Sequence, residues 1–112
     1  NNLTGDIPDV FNASIFEDLI YINLSNNFLI GKLPETLKNL KKLNYLDLSQ
    51  NDLNGEIPSW IGELPDLVTL WLSYNQFTSV HPAIGNLSNL RYLFLNNNLF
   101  KEIPEEIGLL FS

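Results

Sequence analysis

The chain has no cysteine and no methionine, a single histidine, and six basic residues against thirteen acidic ones. Without cysteine there is no disulfide, no thiolate nucleophile and no cysteine-ligated metal. One histidine cannot supply the paired imidazoles of most zinc and copper sites. His81 has no partner at any catalytic spacing and reads as an exposed loop residue. The net charge of −7 opposes nucleic acid and anionic membrane surfaces as main partners. The basic cluster of Lys38, Lys41 and Lys42 falls in a turn and reads as a solvated edge. Glu102, Glu105 and Glu106 cluster without a matching carboxylate or lysine motif, so no acid–base pair is marked. No apolar run reaches the roughly 20 residues needed to span a bilayer, and no secretory leader pattern occurs. The sequence therefore assigns no catalytic residue, cofactor site or metal site, and it points away from an enzyme.

What the chain does have is a repeat. Leu19, Leu43, Leu67 and Leu90 each open a segment reading LxxLxLxxNxL, with Ile22 in the second apolar slot of the first copy and Phe77 and Phe100 in the last slot of the third and fourth. The period is 23 or 24 residues, which marks a solenoid. Seven slots per copy are expected to face inward; in the second copy these are Leu43, Leu46, Leu48, Leu53, Ile57, Ile61 and Leu64. In all four copies every such slot is apolar, in a chain only 45% hydrophobic.

The alternating leucines of each xxLxLxx run predict a short strand with leucines inward and the residues between them outward. The strands should centre on Tyr21–Leu24, Tyr45–Leu48, Thr69–Leu72 and Tyr92–Leu95, parallel and about 4.8 Å apart. One such strand cannot bury its leucines alone, whereas stacked copies share a continuous core. The asparagines that close each motif, Asn27, Asn51, Asn75 and Asn98, carry an amide that both donates and accepts. Set where the chain leaves the strand, they are expected to satisfy backbone groups of their own and the neighbouring repeat, and Asn1 fits the same role.

The second copy continues Leu53-Asn54-Gly55-Glu56-Ile57-Pro58, and the first Leu29-Ile30-Gly31-Lys32-Leu33-Pro34. Leu3-Thr4-Gly5-Asp6-Ile7-Pro8 is the back half of a further copy. Together with the LxxLxLxxNxL segments, this LxGx[IL]P signature resembles the leucine-rich repeat family, and within it the plant-specific subtype. That subtype builds ectodomains of plant receptor-like kinases and polygalacturonase-inhibiting proteins. The resemblance covers essentially the whole chain. It implies an α/β solenoid: a right-handed superhelix with a parallel β-sheet on the concave face and short 3-10 or irregular segments on the convex face. It also implies a second set of flanking strands, with Gly at a tight or positive-φ bend and Pro ending the strand. Copies three and four lack the Gly, at Phe77-Thr78-Ser79-Val80-His81-Pro82 and Phe100-Lys101-Glu102-Ile103-Pro104, and keep the 23-residue spacing of the wider family.

The length fits one domain, residues 1–112, made of a partial repeat at 1–18 and repeats at 19–42, 43–66, 67–89 and 90–112. Polar capping repeats are not visible, so a piece of a longer array is expected. The stretch Asp9 to Asp18 is two residues longer than its counterparts and, with Val10, Phe11, Ile15 and Phe16, reads as an improvised cap. Ile103, Ile107 and Leu110 of the last repeat have no following repeat to cover them. Sequons stand at Asn2, Asn12, Asn23 and Asn86. Asn86, on a turn, leads Asn12 and Asn2 as glycosylation candidates, while a glycan on Asn23 would block the strand face. They favour an extracellular or cell-surface location.

The outward strand positions carry the functional signal. The third slot holds Tyr21, Tyr45, Thr69 and Tyr92; the fifth holds Asn23, Asp47, Trp71 and Phe94; the eighth holds Asn26, Gln50, Tyr74 and Asn97. All four tyrosines fall on this face. Aromatics suit strands in general, but Trp and Phe in the fifth slot have no core to enter, and exposed aromatics are the usual anchors of interfaces. Tyr21, Asn23, Tyr45, Asp47, Trp71, Tyr74, Tyr92 and Phe94 are therefore the candidate protein- or peptide-binding residues of a non-catalytic module. The alternative is a structural piece that dimerises or stacks end to end through this face or its uncapped ends. Neither reading calls for nucleic acid, membrane insertion or a cofactor.

Overall fold

The computed structural model describes residues 3–6 and 18–111. Asn1, Asn2, Asn12 and most of the Asp9–Asp18 stretch lie outside the described residues.

Among the described residues eight strands form two parallel four-stranded sheets. The first contains β2 (Tyr21–Asn23), β4 (Tyr45–Asp47), β6 (Thr69–Trp71) and β8 (Tyr92–Phe94), in that order. These are the LxL segments, and their register is unbroken: Ile22, Leu46, Leu70 and Leu93 align across the sheet. The strands are parallel as the spacing predicts. The second, flanking sheet contains β1 (Thr4–Asp6), β3 (Phe28–Gly31), β5 (Asp52–Ile57) and β7 (Gln76–Val80). Among the described residues four 3-10 segments close the turns on the other side: η1 (Glu35–Asn39), η2 (Ser59–Glu63), η3 (Pro82–Asn86) and η4 (Glu105–Phe111).

Gly5, Gly31 and Gly55 have φ of +82°, +85° and +88°, the left-handed region that glycine enters without steric cost. Copy three keeps its flanking strand without a glycine. The register between β5 and β7 shifts at Gly55/Glu56, where Gly55 pairs with Phe77 and Glu56 with Ser79. Thr78 is the extra residue of this bulge, which takes up the bend that the glycines make elsewhere.

Each 3-10 segment opens at proline. Pro34 and Pro58 precede η1 and η2 in extended conformation. In the third copy His81 takes that place, and Pro82 begins η3. His81 is not the exposed loop residue its isolation suggested. It is half-buried, and its Nδ1 accepts the N–H of Ala83 at 3.0 Å. It thus satisfies a backbone donor at the turn's start.

The core lies between the sheets and the 3-10 segments. Leu40, Leu43, Leu46, Leu53, Ile57, Ile61, Leu67, Leu70, Leu72, Phe77 and Ile84 have no exposed surface, each such burial being worth about 1.5–3 kcal/mol. Leu19, Leu24, Leu93, Leu95, Phe100, Ile107 and Leu110 are only partly buried. Ile103, counted among the inward slots, is 49% exposed. These residues belong to the first and last full repeats, and a slot is covered by the repeats on both sides of it. Trp60 on η2 is a core residue, 7% exposed.

The asparagines form a ladder. Oδ1 of Asn27, Asn51, Asn75 and Asn98 accepts the N–H of Leu3, Leu29, Leu53 and Phe77, respectively, at 2.9–3.0 Å. Nδ2 of Asn51, Asn75 and Asn98 donates back to Leu24, Leu48 and Leu72 O of the preceding repeat. Each amide satisfies groups that a turn would otherwise leave unpaired.

Candidate functional site

The strand register decides which outward side chains meet. In the third-slot row Tyr21, Tyr45, Thr69 and Tyr92 are aligned neighbours, and in the fifth-slot row Asn23, Asp47, Trp71 and Phe94. Parallel strands in register place like slots about 4.8 Å apart, close enough for rings to stack. The Tyr21 and Tyr45 rings stack with centroids 4.4 Å apart and planes 9° apart. The Trp71 and Phe94 rings stack at 3.7 Å and 20°. Tyr21, Tyr74 and Tyr92 are more than half exposed, while Tyr45, Trp71 and Phe94 are half-buried in their stacks.

The two halves of the face differ. Toward β2 and β4 the fifth slot is polar. Asn23 Oδ1 accepts the N–H and hydroxyl of Ser25 at 3.0 and 2.6 Å. Asp47 Oδ1 accepts the N–H and hydroxyl of Ser49 at 3.0 and 2.6 Å. Toward β6 and β8 the same slot holds the Trp71–Phe94 stack.

Asp47 departs from expectation. Its fifth-slot position predicts an outward contact residue, yet it is 8% exposed. Its carboxylate folds back onto Ser49, and the Tyr45 hydroxyl reaches its Oδ2 at 3.4 Å. Burial, then the charge of Asp47 and the adjacent Tyr21, push the Tyr45 phenol above its ordinary pKa.

Asn26, Gln50, Tyr74 and Asn97 all have φ near +60°. Asn tolerates this region, but Tyr and Gln do so at a cost of about 1 kcal/mol. The eighth slot is therefore a backbone corner as well as an outward position. Its signal in the sequence is the recurrence of Asn there, in copies one and four.

A further row escaped the pattern reading. Ile20, Asn44, Val68 and Arg91, in the second slot, line an open groove of about 350 Å³ with Lys42, Asp66 and Asn89 at the rim where the strands begin. Asn44 and Asn89 donate to the Asp66 and Pro65 carbonyls at 3.4 and 2.8 Å, so part of this row is occupied in holding turns. Of the lysines read as a solvated edge, Lys38 pairs with Glu35 at 2.8 Å and Lys42 with Asp18 at 2.5 Å. Asn86, the leading sequon, is exposed at the end of η3.

Two family models match the chain: "Leucine rich repeat" over residues 1–53 and "Leucine Rich repeats (2 copies)" over residues 65–107. No curated protein matches. Among solved structures, the chain is similar to the leucine-rich repeat ectodomain of the plant membrane receptor kinase GASSHO1/SCHENGEN3 from Arabidopsis thaliana, in complex with CASPARIAN STRIP INTEGRITY FACTOR 2. The identity is 43% and the TM-score 0.91, over 98% of this chain and 13% of that one. It is similar to the Arabidopsis receptor kinase HAESA, in complex with the peptide hormone IDA and the co-receptor SERK1, at 36% identity and TM-score 0.90, over 98% of this chain and 19% of that one. It is also similar to the ectodomain of the receptor kinase SOBIR1 from Arabidopsis thaliana, at 35% and 0.82, over 96% and 56%. The chain thus spans less than two thirds of each of these relatives. Matched repeat models over both halves, two parallel sheets turned by glycines, and an asparagine ladder converge: the chain belongs to the leucine-rich repeat family, in its plant-type form.

Proposed function

We propose that this chain is a non-catalytic binding module that takes a peptide or an extended protein segment on its concave sheet, as part of a receptor-type ectodomain. The observation that carries this reading is the pair of register-aligned aromatic stacks on one face, with Tyr74 and Tyr92 exposed beside them. Aromatic surface left in water on a rigid sheet is the usual anchor of an interface. A sheet held from behind by a close-packed core also binds without much loss of conformational freedom. The strain at Tyr74 supports the same reading, because an aromatic is kept where Asn would fit the backbone better. The similarity to a receptor kinase whose structure holds a bound peptide hormone supports a peptide as the ligand class.

The test begins with peptides selected from a random library on the immobilised chain. Hydrogen exchange of the complex is then read residue by residue. Protection confined to β2, β4, β6, β8 and the residues following them supports the reading. Protection confined to the flanking sheet or the 3-10 segments overturns it.

A second reading rests on Leu99 and Ile103, which are 59% and 49% exposed. Exposed apolar side chains of this size favour contact with another chain, and copies of this chain stacking end to end would cover them. Sedimentation equilibrium from micromolar to millimolar concentration separates the readings. A concentration-dependent mass that Leu99→Ser abolishes supports end-to-end assembly, and a constant monomer mass excludes it.

A further inference from the structure

Asp47 carries a charge that its structural job does not use. In the preceding repeat Asn23 occupies the same slot and holds Ser25 with one oxygen, at the same 3.0 and 2.6 Å that Asp47 Oδ1 uses to hold Ser49. The local turn therefore needs one acceptor oxygen and no charge. What Asp47 adds is a second oxygen, Oδ2, and a negative charge, in a side chain 8% exposed. The partner of Oδ2 is the Tyr45 hydroxyl at 3.4 Å, a long bond that leaves acceptor capacity to spare. Among the described residues no basic side chain forms an ion pair with Asp47. A carboxylate withdrawn from water without a cation is costly unless something else compensates it.

The surroundings suit a cation. Asp47 aligns with Trp71 across the sheet. One face of the indole is covered by Phe94, and Asp47 is the neighbour of Trp71 in the same row on the β4 side. Tyr45, two residues back on the same strand, bounds the place along the strand direction and leans its hydroxyl over the carboxylate. The fifth-slot row thus steps from short polar residues to large rings at this point, with the Asp47 carboxylate set between Tyr45 and Trp71. Of the residues in slots three, five, seven and eight of the four copies, Asp47 alone bears a formal charge. The chain's net charge of −7 draws basic partners toward the face.

We infer that the group of Asp47, Tyr45 and Trp71 is a subsite for a basic side chain, with arginine the better fit, of a peptide bound on the concave sheet. A guanidinium stacks flat on an indole face and donates an N–H to the open carboxylate oxygen, combining cation–π attraction with a charge-assisted hydrogen bond. This assignment rests on the binding-module reading and adds the chemistry of one ligand position to it.

Asn23 supplies the variant: Asp47→Asn keeps the oxygen that holds Ser49 and removes the charge. The ¹⁵N-labelled chain is titrated with acetylglycyl-arginyl-glycinamide and with its citrulline counterpart, which has the same shape and no charge. The Trp71 indole N–H and the amides of Asp47 to Ser49 should shift saturably with the arginine peptide. Binding should be at least tenfold weaker with citrulline. It should also be at least tenfold weaker for arginine in Asp47→Asn, whose spectrum otherwise stays native. Equal affinity for arginine and citrulline overturns the subsite, as does arginine binding unchanged in Asp47→Asn. Peptides selected on the whole chain separate the two levels. One that protects the concave sheet and binds Asp47→Asn as tightly as the parent leaves the module standing and overturns the cation subsite. Absence of any peptide on that sheet overturns both.

Discussion

Asn51 holds Leu29, 22 residues earlier in the chain, through a 3.0 Å bond from the Leu29 N–H to its side-chain oxygen. The same amide nitrogen donates to Leu24, Leu48 and Ser49 carbonyls. One side chain thus joins two repeats where the chain turns away from the concave sheet.

Replacing Asn51 by Ala should leave these buried backbone groups unpaired, at a cost of about 1–3 kcal/mol. Asn54, exposed on β5, is the control. Denaturant unfolding of both variants measures the difference. Asn54→Ala should lie near the parent, and Asn51→Ala well below it; equal stabilities would contradict the ladder's role.

The packing of the 3-10 segments makes a second distinction, between glycines that look alike in sequence. A methyl group on Gly62 would collide with the Ala83 carbonyl of the next turn, and one on Gly85 would lie 2.9 Å from Glu106 O, whereas Gly108 has nothing within 4 Å. Gly62→Ala should therefore destabilise by about 1–3 kcal/mol, as overpacking does. Gly108→Ala should be neutral or slightly stabilising, through reduced freedom of the unfolded chain. Thermal midpoints read both.

Tyr45 gives a pH dependence. Its phenol titrates above the usual value because burial, Asp47 and Tyr21 all disfavour the tyrosinate. The fold favours the neutral form, so the associated stability is fully present below the unfolded value of about 10 and fades as pH rises through the raised folded value. In an alkaline titration followed by tyrosinate absorbance, one of the four tyrosines should ionise last. Asp47→Asn should bring it part of the way down, with burial holding the remainder. A single shared transition for all four would contradict the packing of Tyr45.

The sequence made much of this legible because a repeat samples each slot four times. Leucine phase, strand positions and the asparagine ladder follow from recurrence, and the glycine-turned flanking strands from the resemblance that the LxGx[IL]P signature carries. What it hid are features set by a particular neighbour. The burial of Asp47 depends on Tyr45 leaning along the strand and on Ser49 two residues ahead, so an outward slot became a covered one. The flanking strand of copy three survives loss of its glycine because a bulge at Thr78 supplies the bend. His81 became a cap because it stands in the slot that Pro34 and Pro58 fill in the other copies, where its imidazole can accept a backbone N–H. The Gly62 and Gly85 contacts had a visible trace, the Ile-Gly pairs at 61–62, 84–85 and 107–108, but spacing alone does not show which of them is crowded.

The two tryptophans provide the most direct measurement. Trp71 stands on the concave sheet against Phe94, and Trp60 lies in the convex core, 7% exposed. Truncating Trp60 to Ala would cost about 3–5 kcal/mol of stability, so Trp60→Phe is the proper comparison. With a peptide selected from a random library on the parent chain, affinities are measured for the parent, Trp71→Ala and Trp60→Phe. Trp71→Ala should lose about 2 kcal/mol of binding or more, roughly thirtyfold, while its fold persists; Trp60→Phe should stay within about twofold of the parent, since it replaces a core ring that no concave-face ligand touches. Equal losses, or a greater loss at Trp60→Phe, would place binding off the concave sheet and contradict the assignment.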